Sequence, residues 1–508
     1  MNRRRLLIAA ILLISYLASR LTELTKIPIF TDEAIYIRWG QIALQDPAHR
    51  FISLEDGKQP LFIWLMIPAL KFISDPLVAG RIISVAAGLI SLISITAIGW
   101  ILFGETVGWL TGAAYIVSPF FLLYDRLALY DSLTAALMSV CLLLSILFAK
   151  RPRLDLSLLL GAAVGFGLLT KSSAQFAIFL LPVSLLLLTD KSYKNYKLYK
   201  WIFLSFLSIF ISLLISLLLR LSPLAYMVKL KEQTFIVSFD EFFADPFSRI
   251  WGNLGGLNHW LTGYLTWPWI IALAAGIAFS FKKFWKQTLF LLSWFIVPFL
   301  ALAAFGIVLY PRFLLFMSLP LLPLIAKGIA TFSSLRIPHL GGGRSTLPKT
   351  RSPRSLWSLA MTAIVLYYPA YISYQLIFNP LAAPIPQADR GQLMDDWPAG
   401  YGIPEVVEIL KIESQAHKIF IGTEGTFGLT PYALNIYLRD NSKIEIKGYW
   451  PIGNGIPEII EVARTGKPTF VLFKDTQTPN PEWPLALVEK YRKGRSNVFM
   501  SLYQVTPK

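Results

Sequence analysis

Long apolar segments recur from the first turns of the chain to residue 378, and segments of that kind must end in a bilayer or a buried core. They lie near Leu6–Leu21, Leu77–Phe103, Val107–Leu123, Leu133–Ala149, Leu156–Leu169, Ala174–Leu188, Trp201–Leu219, Tyr264–Phe281, Thr288–Leu309, Phe313–Ile329 and Leu356–Phe378. A spanning helix needs roughly 17 to 25 such residues. Only 15% of the 508 residues are charged, against roughly 25% in a soluble domain. The expected fold is therefore an α-helical polytopic membrane protein. The Leu61–Ile73 run, about 13 residues long, is too short to cross a hydrocarbon core of about 30 Å. It reads as an interfacial or re-entrant helix.

The formal charge of +17 would fit a nucleic-acid partner, but the basic residues fall between the apolar segments and form no single patch. With about 11 spans they collect on one side: Arg3-Arg4-Arg5, Lys150 to Arg153, Lys191 to Lys200, Lys282 to Lys286, and Arg336 to Arg354. Cytoplasmic loops collect Lys and Arg, so that side is expected to be cytoplasmic. Counting Leu61–Ile73 as a span would export those clusters. The N-terminal segment, with a poor cleavage site at Tyr16 to Arg20, reads as a retained signal anchor.

On this topology residues 22–76, the Tyr124–Asp131 loop, the turn at Lys171, the Arg220–Gly263 loop, the Tyr310-Pro311-Arg312 corner and everything after Phe378 face outward. Residues 1–378 form the expected membrane domain. Residues 379–508 form a small extracytoplasmic α/β domain, introduced by Pro380, Pro384 and Pro386. Its helix-like stretches are Pro404–Ile412, Pro431–Leu438, Ile456–Arg464 and Pro484–Tyr491; its strand-like runs are Lys418–Gly422, Lys443–Lys447, Thr469–Phe473 and Val498–Val505. The alternation points to a parallel or mixed sheet. The Arg336–Arg354 segment reads as a flexible cytoplasmic loop.

Carboxylates at a bilayer surface are site candidates. Asp32 and Glu33 follow the first apolar segment, and Asp131 opens a later one on the same side. Each could equally cap a helix, where acids suit the positive N-terminal dipole. Asp32 is the natural general base, with Glu33 orienting it or raising its pKa. Arg126 could pair with Asp131 or reach phosphate. Lys58, Lys171 and Arg312 are outward-facing cations that suit a phosphate, or that simply snorkel. The four histidines are scattered and Cys141 is alone, so no metal site is expected. The Gly422–Gly428 phrase lacks phosphate-loop spacing and reads as a turn. The aromatic stretch from His259 to Trp269 reads as an interface belt, or as a flank for sugar or lipid.

The ordered set Thr31-Asp32-Glu33, Lys58-Gln59-Pro60-Leu61, Gly80-Arg81, Arg126 to Asp131, Gly167 to Lys171 and Pro311-Arg312-Phe313 resembles the polyprenyl-phosphate-sugar branch of the glycosyltransferase C fold. That branch includes protein O-mannosyltransferases and lipid A aminoarabinose transferases. The resemblance covers roughly residues 1 to 335. It implies that Asp32 is the catalytic base, that Asp131 is the second outer acid and that Lys58 holds the lipid phosphate. Gln59 departs from the Pro or His-Pro-Pro of the family. The expected activity is inverting transfer of a sugar from a polyprenyl phosphate to a protein, lipid or glycan acceptor. It needs no nucleotide or other cofactor, and a divalent cation stays open. A transporter or lipid-linked-sugar flippase is the competing class, although no repeated half marks one.

Overall fold

The protein is described by a computed structural model covering residues 2–188, 194–332 and 353–506. Lys191 and most of the segment read as a basic loop, including Arg336, Arg344, Lys349 and Arg351, lie outside the described residues. The rest is mostly helical up to Phe378. Among the described residues, four helices are long and apolar enough to cross a membrane: Pro76–Phe103, Tyr130–Lys150, Tyr196–Leu221 and Ile250–Phe305. Two bent pairs raise the number to six: Glu105–Val117 with Pro119–Asp125, bent by 61°, and Pro311–Ser318 with Leu321–Phe332, bent by 63°. Length and composition therefore support four to six spans and do not establish eleven.

Physical reasons for the difference are local. Several expected spans are short helices, such as Leu154–Leu168, and Leu61–Phe72 is a 12-residue helix interrupted by Pro68. The two expected segments around Tyr264–Phe281 and Thr288–Leu309 join in one 56-residue helix, broken at Thr266 and Phe284. That helix begins at Ile250, inside the stretch read as a loop, so His259 to Trp269 lies on helix to either side of the break at Thr266. Its crossing with Leu321–Phe332 is made by glycines. A Cβ on Gly276 would stand 1.9 Å from the Leu324 carbonyl oxygen, and one on Gly328 would stand 1.9 Å from that of Ala272. Small residues let two apolar helices meet at the backbone.

After Phe378 the chain forms a five-stranded mixed sheet ordered β2-β1-β3-β5-β4. Its strands are β1 (Ile419–Glu424), β2 (Ile444–Tyr449), β3 (Thr469–Phe473), β4 (Leu485–Arg492) and β5 (Phe499–Val505). β1 lies parallel to β2 and β3, whereas β5 runs antiparallel to β3 and β4. The Pro484–Tyr491 stretch, expected to be helical, is β4. Pairing with β5 from Leu485↔Val505 to Arg492↔Phe499 overrides its weak helical pattern. Glu489, Lys490 and Arg492 with a bulge at Leu487/Glu489 blunt this free edge.

The sheet unit is tied directly to the Thr31–Gln45 helix. The Leu429–Leu438 helix packs on it, and Gln41 Nε2 donates to the Ile436 carbonyl at 2.9 Å. Just before the Thr31–Gln45 helix, Phe30 forms an antiparallel bridge with Ala399. Thr31 N donates to Pro398 O at 3.1 Å, and Gly400 N donates to Ile29 O at 2.8 Å. A Cβ on Gly400 would stand 2.5 Å from Ile29 O, so only glycine fits there. One continuous hydrophobic core includes Ala34 and Ile37 as well as Leu429 and Leu434.

Candidate active site

Asp32 and Glu33 are neighbours on the first turn of the Thr31–Gln45 helix and go to opposite environments. Glu33 is wholly buried. Its Oε1 accepts Arg81 Nε at 2.8 Å and Ala128 N at 2.7 Å; its Oε2 accepts Arg81 Nη2 at 2.7 Å and Phe30 N at 3.0 Å. Arg81 also donates to the carbonyls of Leu24, Ile27 and Pro28. Every good acceptor position of Glu33 is spent, so it has no opening to a substrate. It fixes the helix start, and through it the direction of Asp32.

Asp32 is 23% exposed and meets Arg312, with Oδ2 2.9 Å from Nη1. Arg312 sits in the Pro311–Leu314 turn, its guanidinium carbon 4.6 Å from the Tyr310 ring centroid and 5.9 Å from that of Phe30. Asp131, on the first turn of Tyr130–Lys150, pairs with Lys171 at 2.7 Å. The Lys171 ammonium lies 4.4 Å from the Phe313 ring, and Lys58 lies 5.4 Å from the Phe235 ring. Those two rings meet edge to face at 6.0 Å. Burial pushes Lys58 down from 10.5 to about 8; Asp32 opposes this, and Arg312 and Lys171 add to it. Lys58 thus stands among two cations and two acids, Asp32 and Asp56, which are themselves paired with Arg312 and Lys231, so it is partly desolvated and short of a counter-charge.

Gln59, the residue that departs from the family pattern, has a definite task. Its Nε2 donates to Ser172 Oγ at 2.6 Å, and Leu61 N donates to Leu169 O at 3.0 Å. These bonds hold the Lys58 loop against the Lys171 turn. Arg126 is elsewhere. Its Nη1 donates to the carbonyls of Ser19, Arg20 and Thr22, and its Nη2 to that of Glu23. It closes the C-terminal end of the Arg3–Leu21 helix, whose last carbonyls lack helical partners. The expected pairing with Asp131 is not made, because its Nη donors are taken by backbone carbonyls.

A cavity of about 530 Å³ opens beside Asp32 and Arg312. Phe30, Thr31 and Tyr310 form one side, and Gln387, Gln392, Asp396, Trp397 and Asp475 the other. Sequence reasoning missed this second wall. It also missed Asp389, buried behind the wall, which accepts Tyr124 OH at 2.7 Å and also accepts Tyr264 OH. Burial raises the Asp389 carboxyl to about 6, opposed by the two tyrosine hydroxyls and by the Arg312 charge. The only prior signal was an acid inside a proline-bounded stretch, which does not identify a partner.

Residues 57–218 match the family described as dolichyl-phosphate-mannose-protein mannosyltransferase. That span contains Lys58, Asp131 and Lys171. The whole chain is similar in fold to ArnT from Cupriavidus metallidurans bound to undecaprenyl phosphate, with a TM-score of 0.59, 14% identity and 99% of each chain covered. It is also similar to the archaeal oligosaccharyltransferase AglB from Archaeoglobus fulgidus in complex with an inhibitory peptide and a dolichol-phosphate. There the TM-score is 0.52 and the identity 13%, with 92% of this chain and 69% of that chain covered. No curated protein matches the chain in sequence. The resemblance carried by the sequence motifs is thus found again in the family match and in the fold: the chain resembles the polyprenyl-phosphate-dependent membrane glycosyltransferases of the glycosyltransferase C fold.

Proposed function

We propose that this chain is an inverting glycosyltransferase that moves a sugar from a polyprenyl phosphate to an acceptor on the extracytoplasmic face of the membrane. The observation that carries the reading is the pairing of Asp32 with Arg312 beside one open cavity, with Lys58 and Lys171, drawn from distant parts of the chain, close enough to act on the same charges. The family match and the likeness to ArnT bound to undecaprenyl phosphate support it. In this reading, taken from the eleven-span topology and its basic loops, the N-terminus is cytoplasmic and the site and residues 379–508 lie on the other side.

In the reaction the acceptor oxygen attacks the anomeric carbon of the donor. The bond from that carbon to the phosphate oxygen breaks, and its electron pair leaves with the phosphate. The acceptor proton passes to the Asp32 carboxylate. Arg312, ion-paired to Asp32 at rest, stabilises the carboxylate and then the departing phosphate. Lys58 supplies the second positive charge, and fixed cations in a partly desolvated site act strongly on a developing anion. Asp131 orients Lys171 toward the same phosphate. Glu33 and Arg126 have scaffold roles in this scheme.

The test is sugar release from radiolabelled polyprenyl-phosphate sugars in proteoliposomes. Wild type consumes a donor; Asp32→Asn loses about 10²- to 10⁴-fold in turnover and still binds the lipid. A wild-type protein that consumes none of a broad donor panel ends this reading and favours the transporter class.

A further inference from the structure

The wall of the cavity facing Asp32 has a composition of its own. Gln387, Gln392, Asp396, Trp397 and Asp475 all come from beyond residue 379. Asp475 lies two positions after the end of β3, and the connections of the sheet diverge at this point. From β1 the chain passes through Leu429–Leu438 to β2 on one side. It then returns through Ile456–Arg464 to β3 on the other. In open α/β sheets the crevice outside the carboxyl ends of such strands is the usual ligand position. Here that crevice lies against the cavity that holds Asp32.

The crevice is braced. Glu424, buried at the end of β1, accepts Lys474 N at 2.9 Å and also accepts Gln477 Nε2, which holds the loop carrying Asp475. Lys493 Nζ donates to the Trp397 carbonyl at 2.7 Å. The Lys474 ammonium stands 4.7 Å from the Trp397 centroid and 4.7 Å from that of Trp450. Trp397 is thereby backed by a cation while 42% of its surface stays exposed. The charged residues lining the cavity are Asp32, Asp396, Asp475 and one cation, Arg312, which already pairs with Asp32; Lys474 and Lys493 are engaged with Trp397 outside that lining.

These features select a ligand chemistry. Surplus carboxylates repel a phosphorylated or otherwise anionic acceptor. Carboxylates and carboxamides with free acceptor and donor positions suit neighbouring hydroxyls, and an exposed indole offers a flat apolar surface for the C–H face of a sugar ring. A volume of about 530 Å³ is within the roughly 300–1,000 Å³ typical of small-molecule sites. Resting on the glycosyltransferase reading, we propose that the acceptor is a neutral carbohydrate, held by Trp397, Asp396, Asp475 and Gln392 with one hydroxyl directed at Asp32.

The test is isothermal titration of the full-length, detergent-purified protein with neutral tetrasaccharides (maltotetraose, cellotetraose and mannotetraose), the same sugars bearing a terminal phosphate, and a Ser/Thr-rich peptide. The expected result is binding of a neutral tetrasaccharide in preference to its phosphorylated form. Trp397→Ala weakens that binding at least about tenfold and Trp397→Phe largely restores it, while Asp396→Lys/Asp475→Lys shifts preference to the phosphorylated sugar. Tighter binding of the phosphorylated sugars or the peptide overturns the proposal, as does the absence of tetrasaccharide binding. Undecaprenyl phosphate titrated into the same wild-type protein reports on the donor site separately. Lipid binding without sugar binding defeats the acceptor proposal alone. Sugar binding without lipid binding defeats the donor reading and leaves a carbohydrate site.

Discussion

Asp32 and Glu33 differ by one position and one methylene, yet one carboxylate faces a cavity and the other is sealed in the core. Glu33 accepts from Arg81 and two backbone amides with no exposed surface. Asp32 has one ion pair and open space beside it. The contrast recurs among the cations: Arg81 and Arg126 are saturated by carbonyls, whereas Lys58 is left short of a counter-charge. Consecutive helical residues project about 100° apart, so locking one of an adjacent pair aims the other. Residue type does not separate scaffold from reactive group here; saturation of hydrogen bonding does.

The contrast can be broken most severely at Glu33. Glu33→Ala leaves the buried Arg81 charge unpaired and two amides unsatisfied, and should cost about 3–5 kcal/mol, read as a lowered thermal midpoint in detergent. Asp32→Asn also strands a cation, Arg312, which is only 12% exposed but borders an open cavity that water can enter, so the loss should be smaller than that of Glu33→Ala. Equal losses in the two variants would show that the acids share one role. Adding Arg81→Met to Glu33→Ala should recover part of the stability, because it removes the stranded charge but also takes the donors from the Leu24, Ile27 and Pro28 carbonyls.

A smaller effect sharpens the picture of Lys58. With its pKa near 8, its positive charge is present below that pH and lost as pH rises through it. Donor KM should therefore climb about tenfold per unit above pH 8, and in Lys58→Arg, which stays charged, that climb should vanish. A wild-type limb near 10.5 instead would mean that Lys58 is fully solvated.

The smallest expected effect concerns Asp389. Its folded value of about 6 exceeds the ordinary 3.8, so between those values the folded state binds more protons than the unfolded chain. Stability should fall as pH rises from about 4 to 6, by linkage. Asp389→Asn should flatten that part of the profile in thermal scans, and an unchanged slope would assign it to other groups.

Much of the site was legible because a charge in an apolar chain stands out. Asp32, Asp131, Lys58, Lys171 and Arg312 were each visible as polar breaks, and the structure gathers them. Glu33 was visible for the same reason, and setting the direction of Asp32 is one of the roles read for it; Arg126 was visible too but does not pair with Asp131, because only the folded packing shows the row of helix-end carbonyls beside it. Trp397, Asp475 and Asp389 were not legible, since they lie some 350 residues from Asp32 or more and their local patterns match ordinary loops. The parallel strands were readable from their apolar runs. β4 was not, because a strand paired on one side and largely exposed carries little alternation, and partner strand β5 decides its form.

The bridge between residues 29–31 and 398–400 is made by main-chain groups. Side chains at Phe30, Pro398 and Ala399 take no part in those bonds, Thr31 Oγ1 adds one to the Pro398 carbonyl at 3.0 Å, and Gly400 admits no Cβ. On the proposed function, side chains of the cavity wall can differ while this bridge keeps Asp32 where it is.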